Sequence, residues 1–189
     1  MRRCDRYLEE FLGRDVRYFR FPYLHRGRTP EHKAAAKRFL ADLGYEAASV
    51  SVDNSEWVLA RAYAAASERA DRAAMAQIAR LYVRHVLEAV AHYRAVARTK
   101  VGRDVRHVLL LHANALAADH LGELLNALAE DGARFITLEE ALRDPVYSRP
   151  DAYVGPKGLS WLYRIEPATP GDVAWDDARA DELERRVGS

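Results

Sequence analysis

The chain has 189 residues, of which 49% are hydrophobic and 30% are charged, and its formal net charge at pH 7 is +1. This composition is typical of a globular protein with a real core rather than a disordered chain. The near-neutral charge favours neither nucleic acid nor an anionic membrane as a partner, and no stretch is apolar enough for a membrane-spanning helix. The single cysteine, Cys4, excludes an internal disulfide and a cysteine zinc cage.

The first elements predicted from the N-terminus are a helix, a strand and a second helix. Residues 2–12 space their apolar side chains helically and stop before Gly13. No strand and no signal-peptide core precede this helix, so we expect a truncated domain whose localisation stays open. A strand is predicted over 16–20, and Thr29 with Pro30 marks a helix start whose helix ends at Gly44.

Further along, strand-like and helical segments alternate. The pattern predicts strands over 47–52, 107–112 and 134–137. Helices are predicted over 54–66, over 68–98 with a possible break, after 112, and over 138–142. This order, with four strands in total, predicts an α/β fold with a parallel sheet or barrel, in a domain spanning residues 1–144.

The pattern stops at Pro145. Five of the seven prolines lie between residues 144 and 175. We therefore predict that residues 145–189 form an irregular, proline-rich tail packed on the domain, ending in a short polar helix near 176–187.

Polar side chains suited to chemistry stand at three predicted strand ends. Arg20 precedes Pro22 and Tyr23 after the first strand, Asp53 follows the second, and His112 ends the third. Functional sites of parallel α/β folds gather at the carboxyl ends of their strands. Each residue alone has a plain structural interpretation: a salt bridge for the arginine, a helix cap for the aspartate and a satisfied histidine.

Three motifs in this order resemble those of polysaccharide deacetylases. The segment FRFPY (19–23) resembles their arginine-x-proline motif, DNSEW (53–57) their aspartate–tryptophan motif, and LLH (110–112) their leucine-x-histidine motif. The resemblance extends over about residues 8–164. It implies an incomplete, distorted (β/α) barrel of the polysaccharide deacetylase type that hydrolyses N-acetyl amides on a glycan.

The resemblance also implies roles for the catalytic residues. His112 would protonate the leaving nitrogen, and Asp53 would orient and charge that imidazole. The backbone N–H of Tyr23 would help to bind the oxyanion. Arg20 would pair with the catalytic-base aspartate.

The remaining implied roles concern substrate binding and the metal. Pro22 would fix the loop, Leu110 would contact the acetyl methyl, and Trp57 would form one wall of the groove. The family uses a divalent metal, often zinc, whose ligands lie upstream of its arginine motif. Only 18 residues precede Phe19, and they contain no histidine. We therefore expect no metal for this chain and a crippled activity.

Other functions remain open. The chain could be a non-catalytic remnant or carbohydrate-binding module, a hydrolase of another non-peptide C–N bond, or a module that binds partners through the proline-rich tail. The expected ligand is an N-acetylated glycan, without nucleic acid or membrane. A barrel that lacks strands also exposes sheet edges, which predicts possible self-association.

Overall fold

The computed structural model describes residues 2–13, 15–165 and 170–188. The protein is mostly helical, with 63% helix and 3% strand. The α-helices of the described residues are α1 (Arg2–Leu12), α2 (Pro30–Asp42), α3 (Glu56–Glu68), α4 (Arg72–Val101), α5 (Ala115–Glu130), α6 (Leu138–Leu142), α7 (Trp161–Arg164) and α8 (Pro170–Val187). Two short strands, β1 (Tyr18–Phe19) and β2 (Glu46–Ala47), and 3-10 turns at Pro22–Leu24 and Pro145–Ser148 complete the elements.

The chain forms two compact units. The first unit contains Met1–Ser49 and Val154–Leu159, and the second contains Val50–Tyr153 and Ser160–Ser189. In the first unit, β1 and β2 pair in parallel. Helix α2 begins where the sequence predicts it, because the Thr29 hydroxyl accepts the His32 backbone N–H and Pro30 fills the first turn.

The core of the second unit is formed by apolar faces of α3, α4 and α5. The side chains in this core with no exposed surface include those of Val58, Leu59, Val86, Leu116 and Leu124. Helix α4 is continuous over 30 residues, so it is about 45 Å long. It starts at an Asp71 cap and ends at Gly102, whose φ of 77° suits the left-handed C-terminal cap.

The predicted α/β barrel is wrong. The predicted strand at 16–20 is reduced to β1, and the one at 47–52 is reduced to β2 and a single bridge residue, Val52. Leu109 pairs in parallel with Val52 and is the only part of the predicted 107–112 strand that forms a bridge. Residues 134–137 form no strand.

Two hydrogen bonds take the place of strand pairing at Val50 and Val108. The Val108 backbone N–H donates to the Ser51 hydroxyl, which takes the place of a strand carbonyl. The Trp161 backbone N–H, from a helical turn, donates to the Val50 carbonyl. At these two positions the backbone group is satisfied without a neighbouring strand, and the pairing of the two extended segments is limited to the Val52–Leu109 bridge.

The helices agree closely with the sequence predictions. Helix α8 covers the predicted helix at 176–187 and starts earlier, at Pro170. The irregular stretch after Pro145 is fixed at Trp161, whose indole N–H donates to the Val146 carbonyl, and at Arg164, whose buried guanidinium pairs with Asp151. No helix in the described part of the chain has the length and apolar character needed to cross a bilayer.

Candidate functional site

The start of helix α3 is attached to the extended segment before His112 by one side chain. The Asn54 side-chain oxygen accepts the Glu56 backbone N–H at 3.0 Å, which forms an Asx turn directly before the helix. The Asn54 amide donates to the Leu110 carbonyl at 2.8 Å. Glu56 and His112 are therefore held opposite each other by local hydrogen bonds.

His112 and Glu56 form a hydrogen-bonded pair. His112 Nδ1 lies 2.6 Å from Glu56 Oε1, and the same oxygen accepts the His112 backbone N–H at 3.0 Å. The Glu56 side chain is only 2% exposed, whereas the His112 side chain is 51% exposed. Since a carboxylate only accepts, Nδ1 carries the proton of this bond and Nε2 is left for a substrate.

Asn114 completes the surroundings of the buried carboxylate. Its amide donates to Glu56 Oε2 at 3.3 Å. Its side-chain oxygen caps helix α5 by accepting the Ala117 backbone N–H at 2.8 Å. Both oxygens of Glu56 are thus hydrogen-bonded, as a buried carboxylate requires.

Asp53 does not make the contact that the sequence predicts for it. The orienting hydrogen bond to His112 comes from Glu56, and the Asp53 carboxylate instead accepts the backbone N–H of Asn54 at 2.9 Å. Burial raises the pKa of Asp53 to about 6, while the Asn54 N–H and the charge of His112 act in the opposite direction. Asp53 therefore lies within the electrostatic reach of His112 without holding it.

A small cavity adjoins Asp53. It has a volume of about 30 Å³ and is lined by Asp53, Asn54, Ser55, His85, Trp175 and Arg179. This space holds about one water molecule rather than bulk solvent. The carboxyl is consequently poorly hydrated, which is the physical cause of its raised pKa.

Trp57 and Leu110 are the predicted substrate contacts of this unit. Trp57 directly follows Glu56 and is 46% exposed, and the Arg61 guanidinium lies 5.5 Å from its ring centroid. Leu110 is partly buried. Leu110 lies two residues before His112, so the two side chains share one face of the extended segment.

Arg20, Pro22 and Tyr23 belong to the first unit. Arg20 is exposed and forms no ion pair with another described residue of its unit. Pro22 opens the 3-10 turn, and Tyr23 has a left-handed backbone with φ of 52°. The Tyr23 backbone is closely packed, because a Cβ added to Gly158 would overlap its carbonyl oxygen. The Tyr23 N–H forms no hydrogen bond with the described residues of that unit.

The described residues do not fit a metal centre. No group of three or more His, Cys, Asp or Glu side chains among them is arranged to hold an ion. At His112, the Nδ1 atom is already used by Glu56, and the nearby amide of Asn114 acts as a donor. The divalent metal implied by the family resemblance therefore has no ligand set in this part of the chain.

Glu56 and Asn114 are the site residues that the sequence analysis missed. Glu56 stands within the DNSEW motif, directly before Trp57. A glutamate in the first turn of a helix that follows a buried strand was the available signal. Asn114 precedes an apolar helical run two residues after His112, which is a recognisable helix-cap position.

Comparison with protein-family models, with curated proteins and with solved structures finds no match for this chain.

Proposed function

We propose that the chain provides the general acid of a hydrolase site that removes N-acetyl groups from a glycan. The observation that carries this proposal is the 2.6 Å contact between the exposed His112 imidazole and the buried Glu56 carboxylate. A histidine fixed in this way presents its Nε2 atom to a substrate and can act as a general acid. The nature of the substrate rests on the resemblance of the three motifs to polysaccharide deacetylases.

The proposed chemistry is the collapse of a tetrahedral amide intermediate. Starting from the intermediate that addition of water to the amide gives, the imidazolium form of His112 transfers its Nε2 proton to the sugar nitrogen and keeps its Nδ1 proton. The C–N bond breaks, the sugar leaves as an amine, and the acetic acid that forms loses its proton to solvent as acetate. The Glu56 carboxylate stabilises the imidazolium before transfer and keeps the ring in one orientation. Asn114 keeps the carboxylate in place and acts as a positioning residue.

The test is release of acetate from tetrameric N-acetylglucosamine by the purified chain. Parallel assays contain EDTA or added zinc, since the described residues supply no ligand cluster. His112→Gln is expected to lower the rate by at least about 100-fold, because a positioned acid contributes about that much. Glu56→Gln keeps the shape of the side chain and is expected to lower the rate at least about tenfold.

The matched control is His32→Gln, because His32 is exposed on α2 in the other unit. Its rate should equal that of the unchanged protein. Equal rates for the His112→Gln variant and the unchanged chain, or no acetate from the unchanged chain in any buffer, would contradict the catalytic proposal.

A second candidate function is carbohydrate binding without turnover. It is favoured by the exposure of Trp57, because an aromatic ring that large is usually buried. Calorimetric titration with the same tetramer distinguishes the two functions. Binding that Trp57→Ala abolishes and His112→Gln leaves intact, with no acetate released, would support this second candidate.

A further inference from the structure

The segment from Arg106 to His112 is hydrogen-bonded along one edge. The Arg106 N–H donates to Asp144 Oδ2, and the Val108 N–H donates to the Ser51 hydroxyl. The Leu110 N–H donates to the Val52 carbonyl, and the His112 N–H donates to Glu56. The backbone N–H groups of the even-numbered residues are thus all hydrogen-bonded, and this two-residue repeat is the alternation of a β-strand.

The odd-numbered residues form the opposite edge, and that edge is open. No described residue forms a hydrogen bond with the backbone N–H or C=O groups of Val105, His107, Leu109 or Leu111. These groups alternate along about 20 Å of chain, at about 3.3 Å per residue. Unpaired donors and acceptors at such a repeat match the backbone of another extended polypeptide.

A groove lies beside the Val105–Leu109 part of the open edge. Its volume is about 410 Å³, and its apolar lining includes Val52, Val90, Leu109 and Leu128. Residues 133–136 also line it, and among them Phe135 is 59% exposed. The groove therefore combines backbone hydrogen-bonding groups with an apolar floor, which is the combination used in strand addition.

The charges of the groove favour a neutral segment. Three arginines and three carboxylates line it: Arg94, Arg106, Arg134, Asp104, Asp131 and Glu140. Arg94 already pairs with Asp104 at 3.2 Å and with Asp131 at 3.9 Å. Burial lowers the pKa of His107 against the opposing effect of Asp104, which favours the neutral form of its ring. A strongly charged ligand would find no net complementary charge here.

We propose that this groove binds an extended, uncharged segment of a partner polypeptide as an added β-strand along Val105–Leu111. The partner backbone pairs with the open N–H and C=O groups, and alternate apolar side chains of the partner contact the groove floor. This binding is independent of the hydrolytic function proposed for His112.

The test uses a synthetic peptide of alternating threonine and valine or isoleucine, Ac-TVTITVT-NH2, titrated into the full chain. Amide resonances of His107, Leu109 and Leu111 are expected to shift, and their hydrogen exchange to slow at least tenfold. The Leu110 N–H, which is already bonded to Val52, should change little. A peptide with prolines at its three central positions lacks the required N–H groups and should not bind.

Two variants sharpen the test. Leu109→Pro removes one N–H from the open edge and should weaken binding at least tenfold, whereas Leu109→Ala keeps that N–H and should bind the peptide. If the proline variant does not fold, the comparison between the two peptides decides alone. Unchanged amide resonances at about 1 mM peptide, or equal binding of the proline peptide, would overturn the proposal. Light scattering tests for a dimer of the chain itself. A concentration-dependent dimer that Leu109→Pro abolishes would show that a second copy of this chain, and not a partner polypeptide, occupies the groove.

Discussion

Burial of the Asp53 carboxyl makes the stability of the protein depend on pH. Its pKa is raised from a usual value of 3.8 to about 6, chiefly because the group is poorly hydrated. Between about pH 4 and pH 6, Asp53 is therefore protonated in the folded protein and ionised in the unfolded chain. Asp53 thus favours folding below about pH 4, and this contribution is lost as the pH rises through 6.

Asp53→Asn should remove this dependence. The free energy of unfolding of the unchanged protein should fall by up to about 3 kcal/mol from this group between pH 4 and pH 8, since one pKa unit corresponds to about 1.4 kcal/mol. The amide keeps the acceptor for the Asn54 N–H and carries no charge. Urea denaturation at both pH values measures the difference. The same pH slope in the variant and the unchanged protein would contradict the assignment of the raised pKa to Asp53.

At the scale of elements, Asn114 connects the start of helix α5 with the buried carboxylate of Glu56. Its oxygen caps the helix while its amide donates to Glu56 Oε2. At a typical cap, aspartate is as good as asparagine and gains from the helix dipole. Here an aspartate would place a second carboxylate against Glu56, so the usual ranking should reverse.

Asn114→Asp should therefore be less stable than Asn114→Ser at pH 7. The serine keeps a capping oxygen and loses only the amide, whereas the aspartate adds like-charge repulsion of about 1–3 kcal/mol. Thermal unfolding of both variants measures the order. Asn126→Asp is the control, because Asn126 is exposed within the same helix and should change stability little. An aspartate variant as stable as the serine variant would show that the contact between the Asn114 amide and Glu56 does not contribute to stability.

At the scale of the whole molecule, the fold is dominated by helices. Far-UV circular dichroism of the full chain is expected to give a helical content near 63%, with almost no sheet. A barrel of alternating strands and helices would give much more strand than the two pairs of residues found in β1 and β2. A sheet-rich spectrum would therefore contradict this fold.

The hydrophobic periodicity and the capping residues of the sequence determine the helices. Thr29 with Pro30 starts α2, and residues 138–142 form α6 as predicted. These signals are local, because a helix satisfies its hydrogen bonds within one segment and needs only one apolar face. The sequence also predicted one site containing His112, Asp53 and Trp57 together with Arg20, Pro22 and Tyr23, and this stays a prediction.

Only the tertiary structure decided which segments of strand-like composition become strands and which carboxylate holds His112. A strand requires a partner at each backbone group, but the Val50 carbonyl accepts an N–H from a helical turn and the Val108 N–H donates to a hydroxyl. Asp53 and Glu56 both suited the imidazole by residue type. Glu56 contacts the imidazole because the Asn54 side chain holds the first residue of α3 close to the His112 segment, whereas the Asp53 carboxylate accepts the N–H of the next residue.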